Sequence, residues 1–469
     1  MYSEHPEWRC MRADISDAGS GEEATALVER MVDLGPEDQV ALRQSSCFVP
    51  RLANWSFPAS ADEPVEIKAR GAYLVTGGLG GLGLEAGRWL AHQGAGQVVL
   101  LGRNGVGTDA QRDGIAEMES AGSKVTVATA DVANYGELRR CLDQLRSNPA
   151  GLPLRGIIHG AGRFDFAMLG EQSLARCREV MAPKVAGAWH LHQLSLHEAL
   201  DFFIFYSSAA GLLGSLSLAP YAAANSFLDG LAHYRRAQGL VATSINWASF
   251  SDAGLATTPE FRRYRSLSQG LRQLRSAEGN WVLDRVLETA PVQVGVAGLD
   301  VAKLAEIFPQ TADWPYLSEL HRLDPVVGEA RGKDEALLAS LRGCDQARQL
   351  ELMQSYVRQR VGDIIQIDAG EIDYEAKLFD LGINSLLSLE LRNELEVALG
   401  IPLSSTLVWT YPTVIALAER CLELLDGPVD GSSADLDDDP ETEEEPLALL
   451  NYDDALEYIN EVLRGGEDE

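Results

Sequence analysis

The sequence predicts an α/β domain on a parallel sheet, then a small all-α bundle, then an acidic tail ending in a short helix. Three patterns carry this. Between Ala69 and about Leu299, short apolar runs alternate with helix-length amphipathic segments, the mark of βαβ units. From about Asp345 to Asp426 the apolar residues recur at helical spacing. Residues 428–446 then hold almost no apolar side chain, as a disordered linker would.

In chain order, residues 1–66 suggest a helix over Thr25–Leu34 and strands at Val40–Leu42 and Cys47–Leu52. Six strands follow, at Tyr73–Thr76, Val98–Leu101, Lys124–Ala128, Gly156–His159, Phe202–Tyr206 and Thr243–Trp247. A linker at 326–344 leads to the helical region 345–427, where Leu387, Leu391, Leu395 and Ala398 form a stripe ended by Gly400. In the last segment, 447–469, Tyr452, Leu456, Ile459 and Leu463 fall on one face of a short amphipathic helix.

Composition bounds the function. The chain has 469 residues and a formal charge of −31. That balance argues against nucleic acid and against an anionic membrane surface, both of which need clustered Lys and Arg. The charge is uneven: residues 428–469 hold 16 acidic residues and one arginine, and residues 351–427 hold 13 acidic and five basic. The C-terminal end of the chain is thus far more acidic than its body. Six scattered cysteines form no metal-ligand or disulfide pattern, which fits reduced thiols in a cytosol. No apolar run is long enough to span a membrane.

Tyr73–Gly83 reads as a strand entering a glycine-rich turn, with a helix over Leu84–Gln93. Gly77, Gly80 and Gly83 permit a tight turn and close backbone approach, so a pyrophosphate could rest on the helix N-terminus, with Thr76 and Leu82 beside it. A plain turn is the other reading of that segment alone. The next strand ends in Arg103, where an NAD-preferring protein usually has an acid; arginine suits the 2′-phosphate of NADP, or simply caps a strand. Asp131 and Val132 stand where an adenine-edge contact is expected. His159, Ala161 and Gly162 are placed beside the cofactor.

Ser207-Ser-Ala-Ala-Gly211 and Tyr221-Ala-Ala-Ala-Asn225, with Lys184 upstream in Met181-Ala-Pro-Lys, resemble the ketoreductase domains of modular type I polyketide synthases. These are a Rossmann-like branch of the short-chain dehydrogenase/reductases. Most of that superfamily places Lys four residues after the Tyr and Asn upstream, and here the two are exchanged. The resemblance implies NADPH-dependent reduction of a β-ketoacyl thioester. Tyr221 would supply the proton, Lys184 would lower its pKa, Ser208 would bond the carbonyl oxygen, and Asn225 would hold a relay water. Asn246-Trp247 matches the family's end-of-strand segment, and Phe250–Ala277 would cover the substrate as a lid.

Two stereochemical markers are incomplete. Phe164-Asp165-Phe166 stands where B-type enzymes carry Leu-Asp-Asp, and Leu213 stands where A-type enzymes carry Trp. The balance leans to B-type, and the alcohol configuration stays open.

Phe379-Asp-Leu-Gly-Ile-Asn-Ser385-Leu, followed by Glu390-Leu-Arg-Asn393, resembles an acyl carrier protein, with Ser385 as the expected site of 4′-phosphopantetheine. The usual Asp before that serine is Asn384, which can still cap a helix but removes one acidic contact for the phosphopantetheinyl transferase. Trp409-Thr-Tyr-Pro-Thr413 resembles the lead into the family's last helix.

Residues 1–66 resemble the last part of the reductase's non-catalytic half, as an excised piece or part of a longer synthase would show. The terminal helix resembles a docking element for a downstream synthase polypeptide; a solvated tail is the other reading. The leading expectation is a reductase joined to its carrier. The alternative is a carrier-and-docking scaffold with a silent reductase fold, and a free-standing reductase conflicts with the carrier segment.

Overall fold

The computed structural model describes residues 4, 10–16, 25–28, 35–43, 46–58, 64–148, 151–254, 270–308, 311–322, 334–365, 367–383, 385–401, 403–404 and 407–426. It divides into two compact units, residues 1–55 with 299–444 and residues 56–298 with 445–469. Among the described residues no helix is long and apolar enough to cross a membrane.

The first unit opens with a three-stranded sheet, β1 (Arg12–Asp14), β2 (Gln39–Arg43) and β3 (Ser46–Phe48), in that order. β1 runs parallel to β2, and β3 antiparallel to it. The strand expected over Cys47–Leu52 stops at Phe48. Pro50 has no N–H to extend a ladder, and the Leu52 N–H turns instead to the Tyr316 carbonyl at 2.8 Å. Of the helix expected over Thr25–Leu34, residues 25–28 are helical and 29–34 lie outside the described residues.

In the second unit, β4 (Ala72–Thr76), β5 (Gln97–Gly102), β6 (Lys124–Thr129), β7 (Leu154–His159), β8 (Phe202–Ser208) and β9 (Thr243–Trp247) match the six expected strands. The two-residue β10 (Leu271–Arg272) and β11 (Gln293–Val296) follow. One seven-stranded sheet runs β11-β9-β8-β7-β4-β5-β6, and each recorded pairing in it is parallel. Its helices are α1 (Gly81–His92), α2 (Asp109–Ser120), α3 (Tyr135–Ser147), α4 (Leu174–Met181), α5 (Val185–Leu194), α6 (Ala209–Leu213), α7 (Ala219–Ala237) and α8 (Ser276–Thr289).

Strand residues alternate between the two faces. Tyr73, Val75, Val98, Leu100, Ile158, Ile204 and Ile245 join Trp89, Leu90, Val282 and Val286 in one core. Leu74, Val99, Leu101, Ile157, Phe203 and Phe205 join Leu138, Leu142, Leu191, Leu228 and Leu231 in the other. Helices cover both faces, so the inner strands read as continuous apolar runs rather than alternating ones. Each large buried side chain contributes about 1.5–3 kcal/mol.

Strand order reverses between β4 and β7, and in open α/β sheets the ligand crevice lies beyond the carboxyl ends at such a point. The topology therefore fixes where the chemistry must be.

The rest of the first unit is helical: α9 (Val301–Ile307), α10 (Glu335–Arg342), α11 (Gln346–Ile365), α12 (Ser385–Leu399), α13 (Leu407–Thr410) and α14 (Val414–Asp426). Met353, Val357, Val361, Leu378, Leu391, Leu395, Val414, Leu417 and Cys421 are buried in one core, so the Leu391–Leu395 stripe faces inward as its spacing predicts. Gly400 closes α12 in the left-handed conformation at φ 67°. The terminal segment carrying Tyr452, Leu456, Ile459 and Leu463 lies outside the described residues, as does most of the expected lid, 255–269.

Candidate active site

The crevice at the strand switch begins with the glycine turn. Gly77 has φ 66°, and a Cβ there would stand 3.0 Å from the Ala161 backbone on the loop after β7. At Gly83 a Cβ would meet the Gly77 carbonyl oxygen at 2.1 Å, so no side chain fits beneath this turn. Gly80 caps α1, which starts at Gly81 instead of Leu84. Gly81 and Gly83 lie in the first helical turn, which leaves backbone N–H groups directed out of the helix N-terminus. No acidic residue lies in that first turn. Such a cradle fits a pyrophosphate.

The other expected cofactor residues surround it. Thr76 is fully buried at the end of β4; its Oγ1 lies 2.7 Å from His159 Nδ1 and accepts from the Ala161 N–H at 3.3 Å. His159 is held at about 3, chiefly by burial and then by the Lys184 charge, so its imidazole is neutral at physiological pH. Leu82 packs against Gly254, where a Cβ would lie 2.9 Å from its Cγ. Asp131 Oδ1 accepts from the Ala133 N–H at 2.9 Å, and Val132 is buried. Arg103 is exposed just past the end of β5 and forms no salt bridge among the described residues. A cation there is available to an added phosphate.

Deeper along β8 and α7, the four motif residues come together. Ser208 ends β8 and caps α6, its hydroxyl oxygen accepting from the Ala210 N–H at 3.2 Å. The same side chain is close enough to the Tyr221 phenol to pull its pKa down, so it serves as a helix cap beside the phenol. Asn225, one turn after Tyr221 on α7, donates from Nδ2 to the Tyr221 carbonyl at 2.7 Å. Its buried Oδ1 has no hydrogen-bond partner among the described residues. Buried acceptors are rarely left so, and a water is the natural partner.

Lys184 joins α4 to α5, with its side chain buried and its Nζ donating to the Tyr206 carbonyl at 2.8 Å. The ammonium stands 5.6 Å from the centre of the Tyr221 ring. Burial lowers it to about 8, partly opposed by Asp229. Tyr221 departs from the sequence expectation in one respect. Its phenol stands above the ordinary value, because burial outweighs the hydrogen bonds from Ser208 and Asn225 that pull it down. The phenol is therefore protonated at neutral pH and can act as an acid.

The stereochemical positions are also placed. Asp165 pairs with Arg176, Oδ2 to Nε at 2.6 Å, and Leu213 ends α6.

In the helical region, Gly382 turns the chain at φ 101°, and α12 starts at Ser385. Leu378 and Ile383 are buried on either side of that turn and anchor the loop before the helix. Asn384 lies outside the described residues. The far end of α12 is tied down by Arg392, which pairs with Glu396 at 2.6 Å, while Glu396 accepts from the Leu403 N–H at 2.9 Å.

A family profile described as the KR domain matches residues 71–252, and one described as a phosphopantetheine attachment site matches residues 355–421. Among solved structures, "Structure of A-type Ketoreductases from Modular Polyketide Synthase" is 33% identical, covering 70% of this chain and 68% of its own, with a TM-score of 0.63. The chain belongs to the modular polyketide synthases.

One phenolphthiocerol/phthiocerol polyketide synthase polypeptide of Mycobacterium tuberculosis (strain ATCC 25618 / H37Rv) is 34% identical over 393 residues, covering 83% of this chain but only 18% of that protein. Erythronolide synthase EryA3 of Saccharopolyspora erythraea is 32% identical over 446 residues, covering 93% of this chain and 14% of its own. The chain thus spans less than a fifth of the length of these relatives. It holds a KR domain similar to the ketoreductases of modular polyketide synthases, followed by a domain that matches the phosphopantetheine attachment site.

One buried charged group of the ketoreductase lies outside its sequence motifs. Asp229 lies one turn after Asn225 on α7 and is buried. An Asp in an amphipathic helix ordinarily faces water, and no spacing rule marks this one. Its partners on β8 and β9 are visible only in three dimensions.

Proposed function

We propose that this chain reduces a β-ketoacyl thioester held on its own carrier serine, Ser385, to the β-hydroxyacyl thioester, with NADPH as reductant. The observation that carries this reading is the convergence of Ser208, Tyr221, Asn225 and Lys184 beside the glycine cradle. When bound, NADPH supplies a hydride for the carbonyl carbon. Negative charge then grows on the carbonyl oxygen, and Ser208 and Tyr221 are the donors assigned to it. Tyr221 transfers its proton to that oxygen, completing the alcohol. Lys184, still an ammonium below about pH 8, offsets the phenolate left behind. Asn225 Oδ1 holds the water through which Tyr221 regains a proton.

For the cofactor, Gly77, Gly80 and Gly83 would hold the pyrophosphate and Arg103 the 2′-phosphate. Asp131 and Val132 would meet the adenine, and Thr76, Leu82, His159, Ala161 and Gly162 would line the rest. Arg103→Ala should raise KM for NADPH about tenfold or more, the loss of a charged hydrogen-bonding partner, while KM for NADH stays within about twofold. Equal KM for NADPH in wild type and variant would remove Arg103 from the site.

We assign residues 67–325 to the reductase, 345–427 to the carrier and 1–66 to the end of a non-catalytic half. A phosphopantetheinyl transferase would load Ser385. Residues 447–469 would dock the loaded carrier to a downstream synthase polypeptide through Tyr452, Leu456, Ile459 and Leu463. Deleting residues 447–469 should abolish chain transfer to that partner and leave reduction of a free surrogate thioester intact; undiminished transfer would rule docking out. The unpatterned cysteines favour the cytoplasm as the place of the reaction.

A further inference from the structure

We propose that Asp229 is a positioning residue of the reductive site: acting through Asn246 and Ser207, its carboxylate locks the strand end bearing Ser208 against the helix bearing Tyr221 and Asn225, and its charge supports the Lys184 ammonium. The inference rests on the catalytic reading above and names what holds that site together.

Asp229 is buried on α7, and both its carboxylate oxygens accept hydrogen bonds from β9. Ser244 Oγ donates to Oδ1 at 2.6 Å, and Asn246 Nδ2 donates to Oδ2 at 2.9 Å. Burial raises the pKa of this carboxyl, and these hydrogen bonds together with the Lys184 charge pull it back toward the ionised form. Asn246 is oriented in turn by Gln293, whose Nε2 donates to Asn246 Oδ1 at 3.0 Å. With its amide so fixed, Asn246 Nδ2 also reaches Ser207 Oγ at 3.0 Å and the Ser208 carbonyl at 3.1 Å. The brace then crosses back to α7, because Ser207 Oγ donates to the Asn225 carbonyl at 3.2 Å. One carboxylate therefore ties β8, β9 and α7 together behind the two residues that must meet the same carbonyl oxygen. A displacement of the donors by even an ångström is expected to be costly in rate.

The same carboxylate has an electrostatic role. The Lys184 ammonium donates to the Tyr206 carbonyl of β8 and stands 5.6 Å from the Tyr221 ring of α7; the titratable groups that interact with its charge are His159, at the end of β7, and Asp229, on α7. His159 is neutral, so Asp229 is the group among these that bears a negative charge and holds the proton on Lys184. Burial alone would strip that proton at a lower pH.

The test compares Asp229→Asn and Asn246→Ala with wild type, in two measurements on the full chain. The first is steady-state reduction of a β-ketoacyl N-acetylcysteamine thioester with NADPH. The second is an NMR titration of Lys184 in protein carrying 13Cε-lysine, tractable because the sequence has only six lysines. Asp229→Asn should lower kcat about tenfold or more with little change in KM for NADPH, and move the Lys184 titration down by about half a unit or more. Asn246→Ala breaks the brace but keeps the charge, so it should lower kcat while leaving the Lys184 titration in place. An unmoved Lys184 titration in Asp229→Asn overturns the electrostatic role. Wild-type kcat in Asn246→Ala overturns the brace, including when Asp229→Asn fails to fold. A loss of kcat accompanied by a parallel loss of NADPH binding marks Asp229 as fold support only and also overturns the proposal. The titration needs no turnover, so a wild-type chain that reduces nothing would count against the reductase reading without deciding this one.

Discussion

Tyr221→Phe is expected to lower kcat for β-ketoacyl reduction by about 10²–10⁴-fold, the range for removing a positioned proton donor. KM for NADPH should hardly change, since the phenol lies on α7 and the glycine cradle on the turn before α1. Ser208 would remain beside the carbonyl oxygen, so the residual rate should exceed that of an empty site. The wild-type pH dependence follows from the same cluster. Burial lowers the Lys184 ammonium to about 8, so it loses its proton as pH rises through that value. Its charge is then no longer there to offset the phenolate, and kcat should fall on the alkaline side of about 8. The Tyr221 phenol stands above its ordinary value and stays protonated through that interval. Stopped-flow or steady-state NADPH oxidation with a surrogate thioester measures both effects. Turnover in Tyr221→Phe equal to wild type would sink the assignment.

Ser385→Ala should abolish attachment of the phosphopantetheine arm altogether. The serine is the first residue of α12, three residues after the turn at Gly382. Intact-protein mass spectrometry, after incubation with coenzyme A and a phosphopantetheinyl transferase, should show the added mass on wild type and none on the variant. Persistent mass gain in Ser385→Ala would place the arm elsewhere. Because reduction is proposed to act on a tethered ketone, the variant should also fail to present any substrate of its own. Trapping that intermediate on wild type and weighing it would identify the acyl chain.

Much of the architecture was legible in the primary structure, for a plain reason. Strands buried on both faces must be continuously apolar, so Val98–Leu101 and Phe202–Tyr206 announce themselves. Helices packed on one side must repeat at 3.6 residues, as Leu391 and Leu395 do. The glycine turn was equally plain, although its helix begins at Gly81, three residues before the first apolar position of the pattern. Where local signals are weak, element ends are set by single residues. β3 ends at Phe48 because Pro50 cannot join a ladder, and the apolar run continues past it regardless.

Two chemical facts needed the folded chain. Lys184 lies 37 positions before Tyr221, yet its ammonium ends 5.6 Å from that ring. The direction of each pKa follows from burial, which no motif displays: it lowers Lys184, raises Tyr221 and keeps His159 neutral. The sequence by itself determined the fold class and pointed to the glycine turn, the motif residues and the proposed carrier serine, because local spacing and residue type encode them. Only the tertiary structure decided which charges are stripped of water and which buried carboxylate, Asp229, holds the strand and helix of the site together, because desolvation and long-range hydrogen bonds arise when distant segments pack.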